Sequence, residues 1–349
     1  MRNAAPLLAV HDLHVDFDTP AGPVAAVSGV SFEIEPNETV ALVGESGSGK
    51  SVTALAMMRL LGRGATLRGQ ITCDGRDITG LTEKQMRSVR GRAMTMIFQD
   101  PMSSLDPLYS VGNQLVETVR LHNRMSRARA VERATELLDQ VGIADPRGRL
   151  RAYPHQLSGG QRQRVMIALA LACSPRLLIA DEPTTALDVT IEAQILELIR
   201  GLQREYRMSL LLVTHDMAVV AEMADRVVVM YAGQVVESGA AEQILRQPQH
   251  PYTTALFQCI PTPVTDRSAA LTAIPGAVPS PHELPPGCRF HPRCAVAFDR
   301  CVTGQVPLFP LDGGARHSRC WLSGDAASGR ADRTVVTSAS VPGPARRRR

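Results

Sequence analysis

Aromatic side chains make up only 4% of the 349 residues, with a single Trp. A core built from this chain must therefore be aliphatic. No apolar run approaches the ~18 residues needed to cross a bilayer. The longest candidates, such as Leu210–Val213, have the length of a buried strand. The N-terminus lacks a signal-peptide pattern, because Ala4–Val10 is a short apolar patch behind one Arg. These absences predict a cytosolic or membrane-peripheral protein. The excess of one sign of charge is also small. The net +4 equals Arg346–Arg349 alone, so the folded body is near neutral and no nucleic-acid partner is expected. That basic end reads as a solvated, disordered tail, with contact to anionic lipid or nucleic acid as the alternative. There is no internal repeat and no long heptad run.

Hydrophobic residues at 44% and charged residues at 21% are ordinary for a globular chain. Residues 7–17 and Val30–Glu35 alternate apolar and polar, as half-buried strands do. Thr39–Val43, Met94–Phe98, Arg176–Ala180 and Ser209–Thr214 are short apolar runs. Helical patterns follow from Gly49 to Leu60, over 112–141, from Ser158 to about Ala172 and from Ile191 to Tyr206. Val227–Tyr231 and Gln234–Glu237 form a hairpin-like pair around Ala232-Gly233. Alternating helices and apolar strands predict an α/β fold with a parallel core. The helical block over about 100–172 reads as an inserted subdomain. Beyond residue 248 the composition shifts, and Pro275, Pro279, Pro281, Pro285 and Pro286 mark an extended connector. The predicted boundaries are a main domain over 5–250, a Cys-rich module over 251–323 and a disordered tail over 324–349.

Gly44-Glu45-Ser46-Gly47-Ser48-Gly49-Lys50-Ser51 fits G-x-x-x-x-G-K-[ST]. It lies between an apolar strand and a helical pattern, the context in which backbone amides and a helix N-terminus cradle phosphates. Lys50 then reaches the β- and γ-phosphates, and Ser51 offers a hydroxyl to Mg²⁺. Leu177–Ala180 runs into Asp181 and Glu182. Asp181 suits Mg²⁺, and Glu182 is placed to orient or deprotonate an attacking water. Gln99 ends a strand before a proline break, and His215 ends another. Alone, each would pass for a structural residue. Leu157-Ser158-Gly159-Gly160-Gln161 is a second Ser-Gly turn opening a helix. One chain with two half-sites suggests ATP held between two subunits.

Taken together, Gly44–Ser51, Gln99, Leu157–Gln161, Leu177–Glu182, Ala186-Leu187-Asp188 and His215 stand in the order seen in ABC-type ATPases. They resemble the Walker A, Q-loop, signature, Walker B, D-loop and H-loop, over roughly residues 7–245. The resemblance implies a phosphate-loop NTPase core of the ABC type. ATP would be held by Gly44, Ser46, Gly47, Gly49, Lys50, Ser51 and Val52, with Phe17 stacking on adenine, and Mg²⁺ by Ser51, Gln99 and Asp181. Glu182 would be the catalytic base and His215 would contact the γ-phosphate. Ser158, Gly159, Gly160, Gln161 and Asp188 would serve ATP on a partner subunit. Phe98–Pro107, His250-Pro251-Tyr252-Thr253 and Gly287–Cys294 are similar to the ATPase subunits of importers of oligopeptides, dipeptides and nickel. That likeness implies a second, non-identical ATPase subunit, two membrane permeases and an extracytoplasmic solute-binding protein. It implies a place on the cytoplasmic face of the membrane, with the permease contact after Gln99.

Cys288, Cys294, Cys301 and Cys320 are spaced C-x5-C-x6-C-x18-C. In a reducing compartment such a cluster reads as metal-binding rather than as disulfides. Four thiolates suit a [4Fe-4S] cluster or tetrahedral Zn²⁺. The absence of C-x2-C pairs tilts the choice to iron–sulfur, which the importer likeness also implies; merely buried thiols are the third reading. His291 and His317 are substitute ligands in principle. Two other functions fit parts of the chain: an ABC ATPase that moves no solute, and an ATPase attached to a metal or redox sensor.

Overall fold

The computed structural model describes residues 5–100, 104–185, 187–259 and 274–328. Most of the proline-bearing connector before Ile274, Ala186 of the Ala186-Leu187-Asp188 segment and the Arg346–Arg349 tail lie outside the described residues.

Two sheets carry the molecule. Leu8–Thr19 (β1) and Gly22–Ile34 (β2) pair antiparallel, followed in sequence by Thr39–Val43 (β3) and the helix Lys50–Met57 (α1). Ala65–Cys73 (β4) and Arg76–Asp77 (β5) complete a small antiparallel sheet of order β2-β1-β4-β5. Glu83–Val89 (α2) leads to Met94–Ile97 (β6). Val111–Asn123 (α3), Arg127–Gln140 (α4), Pro146–Arg149 (α5) and Gly159–Leu171 (α6) come before Leu177–Asp181 (β7). Then come Val189–Tyr206 (α7), Ser209–Thr214 (β8), Met217–Met223 (α8), Arg226–Tyr231 (β9) and Gln234–Ala240 (β10). The chain continues through Ala241–Arg246 (α9), Pro251–Gln258 (α10), Phe309–Leu311 (β11), Arg316–Ser318 (β12) and Trp321–Ser328 (α11).

The main sheet runs β11-β12-β10-β9-β3-β8-β7-β6. Its centre is parallel: β3 pairs with β8 and β9, and β7 with β8 and β6. β3, β7 and β8 are buried along their whole length, as strands covered on both faces must be. Alternate residues separate the faces. Val40 and Leu42 join the core shared with β1, β2 and α1, whereas Ala41 and Val43 face α8, α9 and Tyr252. Leu210 and Leu212 pack against α3, α4 and α6 in a third apolar cluster.

Several outcomes differ from the sequence reading. β10, β11 and β12 pair antiparallel, so residues 309–318 extend the main sheet instead of standing apart from it. Residues 321–328 form a helix, beyond the boundary drawn at 323. α1 also stops at Met57, three residues short of the pattern, because Arg59 adopts a left-handed conformation at φ 51°.

Candidate functional site

The parallel strands deliver their C-terminal ends to one place. β3 ends at Gly44, whose φ of 150° suits glycine. A Cβ there would run into the Met230 carbonyl of the neighbouring strand. Gly47 and Gly49 also have positive φ, 77° and 99°, and a Cβ at Gly49 would lie 2.8 Å from the Ala26 carbonyl oxygen. Backbone closeness thus calls for glycine at 44 and 49, and the positive φ alone favours it at 47. α1 starts at Lys50 with no side-chain cap, so its first amides face the loop. Ser46 and Gly47 are exposed at the loop tip, while Val52 is half-buried one turn in.

Lys50 is 5% exposed and its Nζ donates to the carbonyls of Gly44 (2.8 Å) and Glu45 (3.1 Å). Burial lowers its pKa, opposed by the carboxylates of Glu182, Asp181 and Glu45. Ser51 Oγ donates to Asp181 Oδ1 at 3.0 Å, which joins the helix start to the end of β7. Asp181 is raised by burial and by Glu182, while the Ser51 hydrogen bond and Lys50 oppose the shift. A hydroxyl and a buried carboxylate side by side are hard oxygen donors of the kind Mg²⁺ takes.

Glu182 has a left-handed backbone, φ 46°, unusual for a side chain of its size. Its amide donates to the Val213 carbonyl at 2.8 Å, which locks that turn to β8. Three neighbours then hold the carboxylate. Gln99 Nε2 donates to Oε2 at 2.9 Å and Thr185 Oγ1 to the same oxygen at 3.0 Å. His215 Nδ1 lies 3.3 Å from Oε1. Gln99 and His215 are exposed, so this face is open. The fold therefore brings Lys50, Ser51, Gln99, Asp181, Glu182 and His215 into one cluster. Thr185 is the member that sequence reasoning missed; its position three residues after Glu182 was the available signal.

Ser158–Gln161 and Asp188 form a different cluster. Ser158 and Gln161 make a reciprocal capping box at the start of α6, with bonds of 3.3 and 3.0 Å. A Cβ on Gly160 would approach Ile191 Cγ2 to 2.9 Å, and one on Gly159 would meet Leu187. Asp188 caps α7 through Ile191 N at 3.0 Å. Ser158, Gly159 and Asp188 are exposed. Phe17 lies on β1, half-buried against the first core.

Cys288, Cys294, Cys301 and Cys320 line one cavity of about 20 Å³, walled by Phe290 and Trp321 among others. All four are free thiols. Burial raises each of them, Cys294 to about 11 and Cys320 to about 12. Among the described residues, no group of three or more His, Cys, Asp or Glu side chains is arranged to hold a metal ion. The four cysteines border one cavity with a volume about that of one water, so the metal centre expected from their spacing is not assembled among the described residues.

A phosphate loop, a strand-end Asp-Glu pair, a Gln and a His gathered at one sheet end define an ABC ATPase. Residues 27–185 match the ABC transporter family, and residues 236–301 match the C-terminal region of oligopeptide/dipeptide transporters. The oligopeptide transport ATP-binding protein AppD of Bacillus subtilis is 49% identical over 318 residues, covering 90% of this chain and 96% of its own. The dipeptide transport ATP-binding protein DppD of Escherichia coli is 49% identical over 315 residues, with the same coverage. A dimeric ATP-binding cassette solved in a post-hydrolysis state with ADP and Pi superposes with a TM-score of 0.61. It is 28% identical and covers 67% of this chain and 98% of that one. The chain belongs to the ABC transporter ATP-binding family, in its oligopeptide/dipeptide branch.

Proposed function

We propose that this chain is the ATP-hydrolysing subunit of an importer that carries peptides, or a related small solute such as nickel, across the cytoplasmic membrane. The observation that carries the reading is the carboxylate of Glu182, held by Gln99, Thr185 and His215 beside the Ser51–Asp181 pair. In this reading Gly44–Val52 cradle the phosphates, and Ser51, Asp181 and Gln99 would hold Mg²⁺, which would supply charge neutralisation during phosphoryl transfer. Glu182 accepts the proton of the attacking water as oxygen bonds to the γ-phosphorus and the bond to ADP breaks. His215 steadies the γ-phosphate, and Phe17 lies under the adenine.

The exposed Ser158, Gly159 and Asp188, with Gly160 and Gln161, serve ATP bound to a second, homologous ATPase subunit, so ATP closes a dimer. Residues 100–172 act as an inserted helical subdomain within an ATPase domain of residues 5–250. A groove of about 1440 Å³ lined by Phe98, Leu121 and Met166 supports a permease contact beside Gln99. Among the described residues no helix is long and apolar enough to cross a membrane. In this reading the chain attaches to the cytoplasmic face through two permeases, supplied by an extracytoplasmic binding protein. Purification of the intact complex and its reconstitution in vesicles test the reading. Mg-ATP inside should drive uptake of labelled peptide; ATPase activity with no membrane partner would favour a cassette that moves no solute.

The donor chemistry of the four cysteines supports a [4Fe-4S] cluster in a module spanning 251–323. Among the described residues no group is arranged to hold a metal ion, so a zinc ion and an iron–sulfur cluster alike need the thiols to rearrange. A cluster needs the walls around the thiols to part, since the cavity now has room for about one water. Iron and acid-labile sulfide in the anaerobic protein, with absorbance near ~400 nm lost on Cys294→Ser, are the expected results. Zinc in a colourless protein would remove the cluster reading.

A further inference from the structure

The phosphate loop is gripped from outside by residues far along the chain. Glu45 has its amide, its carbonyl and its carboxylate all engaged. The amide donates to Tyr252 Oη at 2.9 Å, and the carbonyl accepts from Lys50 Nζ at 3.1 Å. The two carboxylate oxygens each accept from Arg293, Oε1 from Nη1 and Oε2 from Nη2, both at 3.0 Å. Arg293 is 5% exposed and its remaining donors are taken as well: Nε by the Pro275 carbonyl (2.9 Å), Nη1 also by Tyr231 Oη (3.3 Å), Nη2 also by the Ile274 carbonyl (3.3 Å). A guanidinium has five N–H donors, so this one is committed in full. Tyr231 and Tyr252 pack ring to ring at 4.7 Å, which makes the two grips one unit.

We propose that Arg293 and Tyr252 are positioning residues for ATP binding: they hold Glu45 so that Lys50 and the loop amides are set, and Arg293 neutralises the one carboxylate inside the phosphate loop. The inference rests on the reading of Gly44–Ser51 as the ATP site. Two arguments carry it. A bidentate arginine–carboxylate pair that is largely buried fixes direction as well as distance. And a loop that receives a polyanion gains from having its own negative charge cancelled, because an unpaired Glu45 would repel phosphate at close range. The buried pair also means that removing Arg293 alone leaves an uncompensated charge, so the defect should be charge-specific. The residues beyond 250 thus complete the nucleotide site.

The test uses the full chain and Mg-ATP. Arg293→Gln should raise the ATP dissociation constant about tenfold and Tyr252→Phe about threefold, from the loss of a charged pair and of one neutral hydrogen bond respectively. KM should rise in step in the assembled transporter, with kcat at saturating ATP within about twofold, since Glu182 is untouched. Adding Glu45→Gln to Arg293→Gln should recover most of the affinity, because the uncompensated charge is then removed. Arg293→Gln and Tyr252→Phe both binding ATP within twofold of wild type, or a double variant no better than Arg293→Gln, would overturn the proposal. Lys50→Ala separates the two levels: if it binds Mg-ATP like wild type, the ATP site is elsewhere and both readings fall together.

Discussion

At the scale of single residues, Lys50 and Gly44 show how little latitude the loop has. Lys50 is the buried cation among three carboxylates, Glu45, Asp181 and Glu182. Lys50→Ala should weaken Mg-ATP binding by more than about tenfold, because a charge-assisted contact is worth roughly 1.5–3 kcal/mol; a fluorescent-nucleotide titration measures it. Gly44→Ala would place a methyl group against the Met230 carbonyl in a left-handed conformation. Thermal unfolding should show a destabilisation of about 2 kcal/mol or more, the range of severe backbone conflicts. Glu182 carries its own strain at φ 46°. A non-glycine residue kept in that region costs about 1–2 kcal/mol, and the gain is a carboxylate aimed between Gln99 and His215.

Among the elements, α10 depends on a histidine that cannot carry charge. His250 caps this helix by accepting from Tyr252 N at 3.1 Å, and burial lowers its pKa to about 3. Its folded value lies below its unfolded value of about 6.5, so the unfolded chain takes up a proton that the native state refuses. Stability should be complete above pH ~6.5 and decline as pH falls toward ~3, by up to about 1.4 kcal/mol per unit. Urea midpoints between pH 7 and pH 4 give the slope. His250→Asn keeps a capping oxygen and should flatten that slope.

The same scale shows what the sequence made legible. β3 and β8 are buried apolar runs whose limits follow from composition alone, and β7 lies one residue beyond its expected run, at Leu177–Asp181. β4 was not anticipated, because Gly69 and exposed Arg68 and Gln70 break its pattern while pairing with β1 holds it in place. β11 and β12 are three residues each and exist through the sheet edge offered by β10. The cluster around Glu182 was legible because its members follow apolar strands, whose ends converge by topology. The Arg293–Glu45 pair was not, since 248 residues separate its halves and only the fold joins them.

For the whole molecule, the proposed pairing of two ATPase subunits rests on the separation of the two clusters. Ser158–Gln161 occupy an exposed turn packed beside Leu187 and Ile191, made by elements other than those around Lys50. Ser158→Arg should therefore leave Mg-ATP affinity of the isolated chain within about twofold while abolishing ATP-driven pairing, read by light scattering with ATP. The most direct test of an ATP-hydrolysing subunit is phosphate release by the assembled transporter carrying Glu182→Gln. Loss of a general base lowers turnover by about 10²–10⁴-fold, so Mg-ATP should still bind with near wild-type affinity while phosphate release nearly stops. Turnover at the wild-type rate would contradict the assignment of Glu182 and the hydrolytic cluster built around it.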